Sequence, residues 1–153
     1  MNVYELIPKL NWKQSEELQL LAIKELSIVT QYEDLLLLAR HSELNNKMGW
    51  HNCAIVLKNI GYPAIGPVLH DIVNDWTMDM NWPGYLTIIE LLRTVPTVEL
   101  VKVVTFVLSK VITYMSTDDT WLYGLYYLID EIGIEKEMNK DLYKKLKNII
   151  DSY

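Results

Sequence analysis

Four tryptophans set the strongest constraint on how this chain can fold. Trp12, Trp50, Trp82 and Trp121 are separated by 38, 32 and 39 residues, and each follows a polar or turn-forming stretch and precedes an apolar run. After Trp50, the residues Ala54, Leu57 and Ile60 fall at offsets of four, seven and ten. Leu86, Ile89 and Leu92 repeat those offsets after Trp82, and Leu125, Leu128 and Ile132 follow Trp121 at four, seven and eleven. Such spacing is the apolar stripe of an amphipathic helix. The Trp12 copy is weaker, because its run of Leu18, Leu21 and Leu26 starts later. A period of 32–39 residues is the length of a helix–turn–helix repeat, which buries its apolar face only against its neighbours.

A second helix is visible in each unit. Val68, Leu69, Ile72, Val73 and Trp76 mark one over 67–77, Val101, Val104, Leu108, Val111 and Met115 another over 97–115, and Leu142, Leu146, Ile149 and Ile150 a third over 139–152. Residues 33–40 hold Leu35 to Leu38. Valines and threonines in 98–112 favour strand by propensity, but the repeat register places them in a helix covered on two sides. Gly61 fits a helix C-terminus, with Pro63 preventing continuation and residues 63–66 forming an irregular or 3₁₀ stretch. Asn81, before Trp82 and Pro83, reads as an N-cap, and Asp118 or Asp119 as the cap of the Trp121 helix. His41 to Gly49 is the longest connection. The expected fold is all-α: a HEAT-like α-α superhelix of about four helical hairpins, in a single domain over 1–153.

Composition narrows the function. Half the 153 residues are apolar and 22% are charged, which suits a folded chain. Its mass of 17.9 kDa corresponds to a folded surface of roughly 8,000 Å². Fourteen basic against twenty acidic residues give a net charge of −6, a poor match to nucleic acid. The lone Cys53 excludes an internal disulfide and any cysteine-rich zinc site. The N-terminus shows no basic, long-apolar or cleavage-site pattern of a signal peptide, and Leu100 to Met115 is too short and too charged to span a bilayer. The expectation is a soluble, cytoplasmic protein.

Several segments resemble a known family. Leu6-Ile7-Pro8-Lys9, Gly61-Tyr62-Pro63-Ala64-Ile65 with Pro67, Asp79-Met80-Asn81-Trp82-Pro83 and Asp118-Asp119-Thr120-Trp121 occur in that order. The chain is similar, from about residue 5 to about residue 132, to the bacterial HEAT-like proteins grouped as domain of unknown function 5071. The family's usual Trp-Leu-x-Asp run is here Trp76-Thr77-Met78-Asp79, with Thr77 in place of leucine, and this chain has more sequence before Gly61 than the shorter members. The resemblance implies a helical repeat fold and carries no catalytic residues to transfer. Relatives resemble accessory or immunity-type proteins near bacterial toxin systems.

The chemistry-bearing residues are sparse. His41-Ser42-Glu43 matches half of a zinc deaminase signature without its cysteine half, so the histidines His41, His51 and His70 read as surface or helix-flanking. Cys53 has no basic partner at helical spacing and reads as a small buried thiol. The chain contains no nucleophile elbow, phosphate loop or dinucleotide fingerprint. No metal, cofactor or catalytic residue is expected.

Asp71, Asp75 and Asp79 form the more informative pattern. Asp71 and Asp75 fall opposite the core stripe of their helix, a like-charge i,i+4 pair, and no lysine or arginine lies between Lys58 and Arg93 to offset them. Asp118 and Asp119 sit at the corresponding turn of the next unit. Equivalent turns of a stack align along one edge, so these carboxylates would line an acidic edge flanked by Trp82 and Trp121. That edge is either a contact surface for a basic protein, with charge steering and tryptophan anchoring, or a row of caps beside tryptophans packed between units. Lys144, Lys145 and Lys147 form the polar outer face of a capping helix, not a nucleic-acid patch.

The function expected is a non-catalytic protein-binding module, with no nucleic acid or membrane partner. Its concrete form is an immunity-type protein occluding a basic bacterial toxin through Asp71, Asp75, Asp79, Trp82, Asp118, Asp119 and Trp121. The alternatives are a glycosylase-like enzyme on a HEAT-like scaffold, which would need a basic groove, and a self-associating scaffold dimerising through 97–115. The expected oligomeric state is monomer or weak homodimer.

Overall fold

The computed structural model describes residues 2–114 and 119–153. Every regular element among them is helical. Helix α1 (Val3–Leu6) runs into a 3₁₀ turn (Ile7–Leu10), followed by α2 (Glu16–Leu26) and α3 (Tyr32–Ala39). A 3₁₀ turn (Lys47–Gly49) leads into α4 (Trp50–Ile60), and another (Gly66–Val68) into α5 (Leu69–Trp76). Then come α6 (Tyr85–Leu92), α7 (Thr97–Tyr114), α8 (Asp119–Ile132), a 3₁₀ turn (Glu135–Glu137) and α9 (Lys140–Asp151).

The helices pack on every second neighbour. α2, α4, α6 and α8 form one row and α3, α5, α7 and α9 the other, while the consecutive pairs α3–α4, α5–α6 and α7–α8 close the space between. Leu38, Leu57, Ile72, Leu92, Leu108 and Leu125 are fully buried in the core between the rows.

The sequence period is written into the side-chain ties along the first row. Asn59 donates to Ser27 across 32 residues, Lys58 pairs with Glu90 across 32, and Arg93 pairs with Glu131 across 38. Each tie joins a helix near its C-terminus to the next helix of its row. The accessible surface of 8275 Å² is close to the compact-protein value of roughly 8,000 Å² for this mass. Stacked units and a compact domain are therefore not alternatives here.

Helix α7 is helical despite its β-branched residues. Leu100, Val104, Val107, Leu108 and Val111 are buried, against α5, α8 and α9, and this two-sided packing outweighs an intrinsic preference of tenths of a kcal/mol per residue. Gly61 ends α4, its N–H bonded to the Leu57 carbonyl. One boundary differs from the sequence reading. Asn81 caps no helix: its N–H donates to the Asp79 carboxylate at 2.8 Å, making a turn, and α6 starts at Tyr85 behind Gly84. Trp82-Pro83 thus belongs to the connection, which leaves the Trp82 side chain at the rim of the stack.

Candidate functional site

The site lies where α3, α5 and α6 meet the connection after α3. Asp71 and Asp75 come from the first and last turns of α5, on the side facing the C-terminus of α3. Asp71 pairs with the Arg40 guanidinium at 2.8 Å and its side chain is only 16% exposed. Asp75 accepts the His41 backbone N–H at 2.9 Å and the Asn74 amide at 2.8 Å. The Asn74 carbonyl oxygen accepts from Lys110 of α7. Both carboxylates are therefore engaged: no lysine or arginine lies between Lys58 and Arg93, but stacking brings Arg40 against Asp71, while Asp75 accepts from two neutral N–H donors. They tie α3 to α5, and the charge of Asp71 is paired with that of Arg40.

Those bonds fix a tryptophan cluster. With its backbone N–H held by Asp75, His41 stacks its ring on Trp50, with centroids 3.7 Å apart and planes 17° from parallel. Trp76 meets the same ring edge-on at 4.6 Å, and Trp82 lies at 5.9 Å. The Trp76 indole N–H donates to the Ala39 carbonyl, the last residue of α3, at 2.9 Å. Trp50 donates to the Asn45 carbonyl at 2.7 Å. Asn45 is buried, and its amide donates to the carbonyls of Leu38 and Arg40 at 2.8 and 3.0 Å, so it caps the orphan carbonyls at the end of α3.

His41 is thus a half-buried member of the cluster, its ring packed on indoles, and not a surface residue. Neither ring nitrogen has a hydrogen-bond partner in the protein. Burial among the indoles lowers its pKa from 6.5 to about 4, opposed only by the Asp75 carboxylate. The imidazole is neutral near pH 7, as a ring stacked between indoles must be to avoid burying a charge. Gly84 makes room for the cluster: at φ +89° it admits few other residues, and a Cβ there would lie 2.8 Å from both the Trp50 carbonyl and the Trp76 ring.

Trp121 occupies the matching place one unit on. It is 6% exposed and donates to the Thr77 hydroxyl at 3.2 Å, while the Lys110 ammonium sits 5.4 Å from its ring centroid. Thr77 is the C-cap of α5, and its hydroxyl donates to the Val73 carbonyl at 2.7 Å. Thr77 thus links two units through its hydroxyl. Gly124 of α8 lies so close that a Cβ would fall 1.9 Å from the Thr77 carbonyl oxygen. Asp119 opens α8 and is half-buried; Asp118 lies outside the described residues.

Of the seven sequence-derived positions, the structure brings Asp71, Asp75 and Trp82 around one cluster and sets Trp121 in the next. What stays accessible is a rim on the connection between α5 and α6. Trp82 is half-buried, packed at 5.0 Å on Trp50, with the Lys47 ammonium 6.0 Å from its centroid. Asp79, Met78 and Met80 flank it, also half-buried.

Sequence reasoning missed Arg40, Asn45 and His41. Only Trp76, at one unit from Ala39, carried a periodic signal toward them.

Chemically the arrangement offers shape and apolar contact. Burial raises the Cys53 thiol to about 12, and it donates to the Leu38 carbonyl at 3.3 Å, so it is held as the inert thiol expected. No group of three or more histidine, cysteine or acidic side chains able to hold a metal occurs among the described residues. No helix among them is long and apolar enough to cross a membrane.

Two rows of short helices with indoles closing the helix ends define an all-helical stacked-hairpin protein. More particularly, the chain belongs to the family described as a domain of unknown function (DUF5071), whose model matches residues 51–153. The match takes in Trp76, Thr77, Trp82, Trp121 and α9, and begins one residue after Trp50. Leu6 to Lys9, Arg40, His41 and Asn45 lie outside it. No curated protein and no solved structure gives a significant match.

Proposed function

We propose that this chain is a non-catalytic protein-binding module whose contact surface is the rim around Trp82 and Asp79. The observation that carries this reading is the position of Trp82. It is a half-buried indole at the mouth of the cluster, packed on Trp50 and His41, which in turn pack on Trp76. A pre-organised aromatic anchor with methionines beside it is the composition of a binding hot spot, with little entropy lost on docking. The partner is basic, since the chain carries −6 overall and long-range attraction speeds encounter. In its concrete form the module is an immunity-type protein that occludes a basic bacterial toxin.

Engagement of Asp71 and Asp75 moves the expected contact toward Asp79 and Trp82. These two aspartates act on the partner indirectly, by holding the α3 end on which the cluster is built. The test is co-purification from source cells at low salt with three baits: the wild type, Trp82→Ala and Asp79→Lys. The expected result is a basic protein retained by the wild type, lost with Trp82→Ala, weakened by Asp79→Lys and released by salt. Retention of the same protein by both variants, or a clear DNA mobility shift at low salt, would overturn the reading.

A further inference from the structure

We infer that α2 is the contact face of a weak symmetric dimer, in which the α2 helices of two copies pack antiparallel about a two-fold axis between Leu20 and Leu21. Helix α2 is apolar on two sides. Ala22 and Leu26 face inward, toward α4 and the Ile7–Leu10 turn. On the outer side Leu20 is 59% exposed and Leu21 45%, and Ile28, just past the helix, is 71% exposed. Glu17, Leu20, Leu21, Lys24 and Ile28 form one strip at helical spacing. The opposite end of the stack is built differently, because α9 turns Lys144, Lys145 and Asp141 outward, the polar cap that a stack needs at its ends.

The occupant is set by charge. Glu17 and Lys24 are both exposed, and neither forms an ion pair among the described residues. Seven residues apart, they lie roughly 10 Å from one another along the helix, too far to pair within it. They are placed symmetrically about the midpoint of Leu20 and Leu21. An isologous contact sets residue i of one copy against j of the other, and j against i. Antiparallel pairing therefore sets Glu17 of each copy against Lys24 of its partner on both sides of a leucine centre. Glu16 and Glu25 fall about a quarter turn to either side of the strip, clear of the seam. The strip is separate from both the Trp82 rim and the 97–115 face.

The experiment is sedimentation equilibrium of the full chain at about 10–500 µM, with circular dichroism to confirm the fold. Expected are a monomer–dimer equilibrium for the wild type and a monomer for Leu20→Asp with unchanged dichroism. Glu17→Lys and Lys24→Glu should each raise the dissociation constant about tenfold, and the double reversal should return it to within about threefold of wild type. A wild type that stays monomeric throughout overturns the inference, as does a dimer indifferent to Leu20→Asp or one not rescued by the double reversal.

Discussion

Trp82 and Trp121 hold equivalent places in successive units, yet the structure uses them differently. Trp121 sits within α8, buried, bonded to Thr77 and covered by Lys110. Trp82 precedes α6 and stays half-buried at the rim. The difference lies in where the helix begins. Asp79 and Gly84 hold Trp82-Pro83 in a connection outside the helix, whereas α8 is already formed at Asp119. A repeat thus conserves a side chain's position in the sequence period while one local turn decides whether it is core or surface.

The largest effect that sharpens this contrast is truncation. Trp121→Ala should cost about 3–5 kcal/mol of unfolding free energy, against about 1–2 kcal/mol for Trp82→Ala, as read by urea denaturation. Equal losses would break the comparison. Gly124→Ala follows, at about 3 kcal/mol or more, because its new Cβ meets the Thr77 carbonyl and backbone cannot yield cheaply. Thr77→Val, which keeps the shape and removes the hydroxyl, should cost about 1–2 kcal/mol through loss of the bonds that hydroxyl makes to Trp121 and Val73.

The next effect depends on pH and belongs to the Trp82 cluster alone. His41 binds a proton near pH 6.5 when unfolded and only near 4 when folded. Between those values the unfolded state holds more protons, so stability falls as pH falls, by at most about 1.4 kcal/mol per pH unit from this residue. Thermal midpoints taken from pH 7 to pH 5 should drop less steeply for His41→Phe than for the wild type. The smallest effect is that of Arg40→Ala, about 0.5 kcal/mol, since the Arg40 side chain is largely exposed and solvent screens its pair with Asp71.

Much of the fold was legible because periodicity reports burial directly. The stripes after Trp50 and Trp121, the stop at Gly61 and the buried Cys53 follow from one-dimensional spacing, whereas in the stripe after Trp82 only Ile89 and Leu92 are core and Leu86 is exposed. The site was less legible, because its bonds cross 31 to 37 residues between α5 and the end of α3. Asp71 and Asp75 look unpaired on a helical wheel, since a wheel carries no information about Arg40 or the His41 N–H. His41 and Asn45 lie in the longest connection, where nothing periodic marks a buried residue. Asn81 was misplaced because a turn and an N-cap have the same sequence signature, and only the Gly84 backbone separates them.

The central claim is that Trp82 is reachable while Trp50, Trp76 and Trp121 are core. Hydroxyl-radical footprinting of the native chain, read for each tryptophan by mass spectrometry, tests it most directly, with the 54%-exposed Trp12 as internal standard. The account expects Trp12 to label fastest, Trp82 at an intermediate rate, and Trp50, Trp76 and Trp121 to be protected. Labelling of Trp121 as fast as Trp82, or protection of Trp82 equal to that of Trp76, would contradict it.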